Sequence, residues 1–333
     1  MPKKTWRAWL ALLLDSSLFL GISTLILLVD HVLIGSLLGL LLPGLVLTGF
    51  FVLGHDAGHR SFSDSERVND FVGHLTTSFL GWPFHLWRLA HNVHHLHTNH
   101  VKMDIAWEPH TNKQIHRLPA FFRWTYTTVR SKIWAFWAGA FFHNLELWWK
   151  FFQRKLYRPE DRSKVWFSIV LTILATTSYA ALAFALGSWY GLLTLFILPL
   201  IGFYFWMTTF TLLHHTHPDI NFLQDKEWNK VEAQLDGTIN VLYGKIVDWF
   251  THDIAWHLHH HTSVAIPFYY LKDAQRHLQQ AFPDRVKSQA FTLSHLLAVL
   301  RHCQAIKNFN EPTWTPFVTG CPDHGTGQQS SQA

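Results

Sequence analysis

Two long apolar blocks organise the chain. The first runs from Ala8 to Gly54 and is interrupted at Asp30, His31 and Gly35; the second runs from Val165 to Leu213 and is interrupted at Gly187–Gly191. Each is about twice the ~20 residues that carry a helix across a bilayer, and soluble core helices rarely sustain more than ~14 apolar residues. Each block therefore predicts a helical hairpin, with spans at about 8–29, 36–54, 165–186 and 190–213. The expected fold class is an all-α integral membrane protein: two transmembrane hairpins, interfacial helices and a helical cap on the cytoplasmic side. Residues 1–320 read as one membrane domain and 321–333 as a disordered tail.

The segments between and after the blocks are less regular. Phe71 to Trp87 is apolar but broken by Gly73, Gly81 and Pro83, which predicts a membrane-surface or re-entrant piece. Leu118 to Phe152 mixes aromatics with Arg123, Arg130, Lys132 and Lys150, the composition of an amphipathic interfacial helix. Gln275 to Cys303 has helical spacing, and Pro43 is expected to kink the second span. Asp15, inside the first span, reads as a carboxyl near the polar end that pairs or protonates.

Charge sets the expected orientation. Of the 27 Lys and Arg residues, 3 precede Ala8, 15 lie between Gly54 and Val165, 9 follow Leu213, and neither hairpin turn carries any. The positive-inside rule then places both termini and the central loop on the cytoplasmic, or stromal-equivalent, side. The 17 tryptophans suit membrane interfaces. The basic Met1–Arg7 start resembles a signal n-region, but the apolar run after it is too long and no small-residue cleavage site follows. Two cysteines are too few for a disulfide framework or a Cys-rich metal site, and no nucleic-acid motif accompanies the net charge of +5.

The candidate chemistry lies in 25 histidines, more than the 22 acidic residues. Arg88 to His100 reads RLAHNVHHLHTNH; His91, His94 and His95 would share one helix face and point at a common centre. Gly54 to His59 reads GHDAGH, Leu213 to His217 reads LHHTH, and Trp256 to His261 reads WHLHHH. An even number of crossings brings all four clusters to one side of the membrane. Imidazole suits iron, zinc, copper and nickel, and the ligand type alone does not choose among them. So many histidines exceed what one ion accepts and suggest two. Neither the Glu-x-x-His of carboxylate di-iron proteins nor the H-E-x-x-H of zinc proteases occurs beside these clusters. A site at the ends of membrane spans meets lipid chains, whose C–H bonds lie outside the range of side-chain acids and bases. That chemistry needs a redox cofactor, and iron with O2 is the economical choice.

The stretches GHDAGHRSF (Gly54–Phe62), FHLWRLAHNVHHLHTN (Phe84–Asn99), TFTLLHHTHPDI (Thr209–Ile220) and HLHHHTSVAIP (His257–Pro267) resemble the membrane fatty acid desaturase family with its three histidine boxes. The resemblance covers Phe51 to Tyr270 and is closest to the cyanobacterial and plastid acyl-lipid delta-12, or omega-6, type. It implies two irons held by His55, His59, His91, His94, His95, His215, His257, His260 and His261. His214 and His217 are neighbours of the His215 position. His97, His100, His252 and His259 read as supporting or structural residues, as do His74 and His85. Asp56, Asp104, Asp236 and Asp253 are candidates to accept spare imidazole N–H groups. Ala57, Asn92, Leu258 and His259 depart from the residues common in delta-12 boxes, and none is an implied ligand.

The implied activity is O2-dependent introduction of a cis double bond into a membrane glycerolipid acyl chain. The implied electron donor is ferredoxin, or cytochrome b5, with Arg154, Lys155, Arg158, Arg162 and Lys164 as a candidate docking patch. Two other functions fit parts of the pattern. A carotenoid hydroxylase or ketolase, or an alkane hydroxylase, also uses histidine clusters with O2. A histidine-rich metal transporter would carry ligands near the membrane midplane, yet only His31 lies inside either block, at a hairpin turn.

Overall fold

The computed structural model describes residues 3–105, 109–152, 157–220 and 222–318. The first half of the chain forms α1 (Thr5–Leu27), α2 (Val32–Gly58), α3 (Glu66–Thr77), α4 (Phe84–Leu96), α5 (Asn112–Arg117), α6 (Ala120–Ser131) and α7 (Gly139–Phe152). Next come α8 (Arg162–Gly191), α9 (Leu198–His215), α10 (Lys230–Asp236), α11 (Lys245–Phe250), α12 (His257–Thr262), α13 (Leu271–Ala281) and α14 (Leu293–His302). Strands are few among the described residues. β1 (Asn240–Leu242) pairs in parallel with β2 (Ser288–Ala290), and β3 (Ala305–Ile306) pairs antiparallel with β4 (Trp314–Thr315).

Three helical stretches are long and apolar enough to cross a membrane: Thr5–Leu27, Val32–Gly58 and the 57-residue run Pro159–His215. The last would be roughly 85 Å long if straight, against a hydrocarbon core of ~30 Å. It is broken at Gly187 (φ −151°, ψ 21°) and Ser188 (φ 52°, ψ −138°), the serine in the left-handed region that side chains avoid. Past the break the chain doubles back. Tyr179 hydroxyl donates to the carbonyl of Leu195, and its ring lies 5.1 Å from that of Phe196. Proline explains the partner: Pro199 has no N–H to offer the Leu195 carbonyl four residues before it, and the tyrosine supplies one. A π-helical stretch, Leu192–Ile197, joins the two limbs. Tyr190 ties this turn to the one between α1 and α2, donating to Ile26 O at 3.0 Å.

The four helical limbs are not equivalent. α2 is apolar all round and buries 72% of its apolar window, whereas α1 buries 22% and the α8–α9 run 17%. α2 is therefore the central post and the other limbs leave large apolar side chains on their outer faces. Against α9 it comes very close: a Cβ placed on Gly44 would lie 2.6 Å from the Cα of Gly202. Small residues at a crossing let two helix backbones touch, and packing of this kind drives association where no water is left to expel. Around this contact Leu47, Phe50, Phe51, Phe203 and Met207 join Trp82, Phe84 and Trp87 in the largest core cluster. Pro43 is accommodated inside the continuous α2.

Two expected helices are divided. Leu118–Phe152 becomes α6 and α7, because Lys132 is extended (ψ 121°) and Thr208 of α9 holds the break, its hydroxyl accepting from Ala140 N at 2.8 Å and lying 2.6 Å from Trp137 O. Gln275–Cys303 becomes α13 and α14, separated by a turn after Pro283 and by β2, which pairs with β1. Asp15 pairs: its Oδ2 is 2.7 Å from His252 Nε2, which ties α1 to the loop preceding α12. The expected tail at 321–333 lies outside the described residues, as do Arg154 and Lys155.

Substituting Gly44 by leucine is expected to abolish the α2–α9 contact and cost at least the ~1–3 kcal/mol of an overpacked core. Gly21→Ala, where a Cβ meets nothing within 4 Å, serves as control. Thermal inactivation of the detergent-solubilised protein should show a large loss for the first and none for the second.

Candidate metal centre

The post helix ends in histidine. His55 lies in the last turn of α2 and His59 caps it, so the pair emerges where the helix leaves the apolar core. His91, His94 and His95 occupy the last two turns of α4, and His215 is the final residue of α9. His257, His260 and His261 fill the short helix α12. The helix α4 packs against α2 through Trp87, whose ring stacks on His91 at 4.7 Å. α12 is held by Asn240 Oδ1, which accepts from Leu258 N at 2.9 Å.

These nine imidazoles come together in two adjacent groups. His55, His59, His91, His95 and His260 each offer one nitrogen, all within 4.8 Å of one another. His94, His215 and His261 form a second such set. His257 joins the second, its Nε2 2.8 Å from His215 Nε2 and 3.1 Å from His261 Nε2. The sets touch where the His95 and His261 rings stack at 4.2 Å. The expectation that His91, His94 and His95 share one centre is corrected by this arrangement. A helix face is wide enough that residues i and i+4 turn to one set and i+3 to the other. The same division splits α12, with His260 in the first set and His257 and His261 in the second.

The donor chemistry fits metal ions. Nitrogens bound at ~2.1 Å to one ion stand roughly 3 Å apart, and His95 Nε2 lies 3.1 Å from His91 Nε2 and 3.0 Å from His260 Nε2. Burial, then the neighbouring imidazoles, push the pKa of His91, His95, His257, His260 and His261 well below the usual histidine range. His59 is shifted the same way, by burial first and then by His55 and Arg88. Neutral rings carry the lone pairs that a cation needs.

Two outer hydrogen bonds set the ring orientation. His94 Nδ1 donates to Asp104 Oδ1 at 2.7 Å, which turns the lone pair of its buried, otherwise unpartnered Nε2 inward. His261 Nδ1 lies 3.1 Å from Gln234 Oε1; the amide is fixed in turn because its Nε2 donates to His95 O at 2.7 Å. Thr98 adds a contact to His261 Nδ1 at 3.3 Å while donating to His94 O. Sequence reading found Asp104 but missed Gln234 and Thr98. Thr98 stands four residues after His94, a helical offset that could have flagged it; nothing in the sequence signals Gln234.

The remaining candidates have other partners. Asp56 Oδ1 stays 3.9 Å from His55 Nδ1, beyond a hydrogen bond, while Oδ2 accepts from Phe268 N. Asp236 pairs with Arg285 and Asp253 with Lys272, so neither reaches an imidazole of the two sets. His100 pairs with Asp225, and His97 packs on Trp228. His259 faces Trp256 O, and His217 sits beside Asp219 and the His295 ring. His74 bonds Asp70 O and Ser168 Oγ. His214 stacks on His257 at 4.6 Å and its Nε2 has no hydrogen-bond partner among the described residues.

Beneath the two sets lies a cavity of about 100 Å³. Its walls are Phe51, Val52, Trp82, Trp87, Met207, Phe210 and Ile254, with His55, His91, His94, His215 and His257 at one side. Apolar walls beside converging lone pairs suit a hydrocarbon chain held against a bound metal, with water kept out.

Comparison with known proteins agrees with this chemistry. The family model described as fatty acid desaturase matches residues 31–292. The sn-1 oleoyl-lipid 12-desaturase of a Picosynechococcus species is 39% identical over 263 residues, covering 79% of this chain and 74% of that protein. Its namesake from a Synechocystis species is 39% identical over 78% of this chain and 73% of its own length. The chloroplastic omega-6 fatty acid desaturase of Glycine max is 32% identical over 78% of this chain and 60% of its own. A model match spanning most of the chain, from the start of α2 to the residue before α14, identifies the protein as a member of the fatty acid desaturase family and hence as an oxidoreductase of lipid metabolism.

Proposed function

We propose that the protein introduces a cis double bond at the 12, or omega-6, position of an acyl chain carried by a membrane glycerolipid. The observation that carries this reading is the pair of imidazole sets beside one apolar cavity, in a chain 39% identical to proteins named oleoyl-lipid 12-desaturases. The acyl chain loses two hydrogens, and O2 is reduced to two waters with two further electrons and two protons. Two iron ions supply, with O2, the redox chemistry that an unactivated C–H bond demands and no side chain can provide.

The chain's own residues hold and orient. His55, His59, His91, His95 and His260 hold one ion, and His94, His215, His257 and His261 the other. Asp104 and Gln234 keep His94 and His261 in the tautomer that presents Nε2. Phe51, Trp82, Trp87 and Met207 hold the hydrocarbon and exclude water. Four membrane crossings fit best, with the bend at Gly187–Ser188 as the second hairpin turn. The absence of Lys and Arg from both apolar blocks then puts the histidines and both termini on the cytoplasmic or stromal-equivalent side. Ferredoxin, or cytochrome b5, is the proposed electron donor. Arg158, Arg162 and Lys164 are exposed near the start of α8 and offer an acidic carrier a basic landing.

Expression with a ferredoxin-reducing system should create a new double bond at position 12 in oleoyl lipids, seen by gas chromatography of the fatty acid methyl esters. Unchanged fatty acids alongside altered carotenoids would overturn the reading. His94→Ala should abolish product and lower bound iron while membrane insertion persists; full iron and turnover in that variant would remove His94 from the ligand set. Asp104→Ala should weaken iron retention by about 10–100-fold, the usual effect of losing such a partner, measured by titrating the purified protein with a chelator.

A further inference from the structure

One polar side chain on the cavity wall lies outside the imidazole assembly and has no part in the mechanism above. His143, on α7, lines the cavity beside Phe51, Trp82, Ala140 and Met207. The Glu146 carboxylate, one helical turn on, acts on it electrostatically and is itself paired with Lys150 at 2.6 Å. Of the other polar groups on the wall, Thr211 donates to Met207 O at 2.7 Å, His214 stacks within the assembly on His257, and the buried Trp82 indole N–H has no hydrogen-bond partner among the described residues. The position of His143 is fixed by the next residue, because Asn144 Nδ2 donates to Gly81 O and to the Tyr204 hydroxyl, both at 3.0 Å. The Trp82 ring lies 6.4 Å away. Burial lowers the His143 pKa, so the ring is neutral, with one N–H and one lone pair.

A buried N–H that faces hydrocarbon is costly unless something accepts from it. A saturated acyl chain has nothing to give. The electron-rich feature of an unsaturated chain is the π face of its double bond, a weak acceptor of N–H groups. The relatives are named for an oleoyl chain, which already carries a cis double bond at position 9 and receives the next at 12. Two carbon–carbon bonds of ~1.5 Å separate the two, so one cavity of this size admits both the existing bond and the reacting carbons. We propose that His143 is the specificity-determining residue that recognises the double bond already present, donating its N–H to the olefin and so favouring an oleoyl over a stearoyl chain. This rests on the 12-desaturase reading and goes beyond it by assigning the residue that reads the first double bond.

The test separates the two claims. Holoenzyme is purified from membranes without reductant, so that no turnover occurs. Mass spectrometry then gives the ratio of oleoyl to stearoyl chains in the co-purifying lipid, relative to the bulk membrane. Wild type should enrich oleoyl chains about fivefold, the scale of one weak hydrogen bond. His143→Leu should fall to the bulk ratio with bound iron unchanged, while the better of His143→Asn and His143→Gln, each keeping an N–H donor, should retain most of the enrichment. No enrichment in wild type, unchanged enrichment in the leucine variant, or amide variants that behave like leucine would each overturn the assignment. Wild-type enzyme that forms no double bond at position 12 with reductant supplied would instead sink the underlying function.

Discussion

Nine imidazoles crowded into two touching sets are the constraint on which the rest of this structure depends. Lone pairs aimed at shared points within a few ångströms repel one another unless a cation or a proton lies between them. Burial disfavours the proton at His59, His91, His95, His215, His257, His260 and His261 by lowering their pKa. The scaffold must therefore resist that repulsion and still present each ring at the right angle. It does so by fixing the rings from outside, through Asp104 on His94 and through Gln234 and Thr98 on His261.

Rigid membrane helices make that possible. Two of the contributing helices, α2 and α9, run side by side with backbones in contact at Gly44 and Gly202, and both end in histidine at the same level. A helix end is a precise platform because its backbone hydrogen bonds are already made. The other two contributors, α4 and α12, are short and take their positions from this pair. Trp87 lays α4 on Phe51 and His55 of α2, and the Asp15–His252 pair fastens the approach to α12 onto α1. A buried carboxylate in a membrane helix is expensive alone, and its imidazole partner offsets part of that cost.

The same packing creates the substrate space. Phe51, Trp82 and Met207 stop short of filling the volume between α2, α7 and α9, and the void opens onto the imidazoles. Chemistry at an unactivated methylene then depends on placement more than on acid or base strength. A polar side chain on such a wall, as proposed for His143, has correspondingly large leverage over which chain lies well there.

Much of this was legible in the sequence. Apolar blocks twice the span length, free of Lys and Arg, announced long apolar helices able to cross a membrane, because lipid leaves a hydropathy signal in every residue it touches. The histidine clusters contained all nine imidazoles that converge, because residues at helix ends show local periodicity, while the choice of His215 over His214 and His217 came from the family resemblance. The helix break at Lys132–Ala138 was not legible, since it depends on Thr208 of a distant helix. Nor was the division of His91, His94 and His95 between two sets, which needs the position of α12. Gln234 and His143 carry no local mark at all. Their roles come from what faces them across the interior, and long-range contact is a property that only the folded chain possesses.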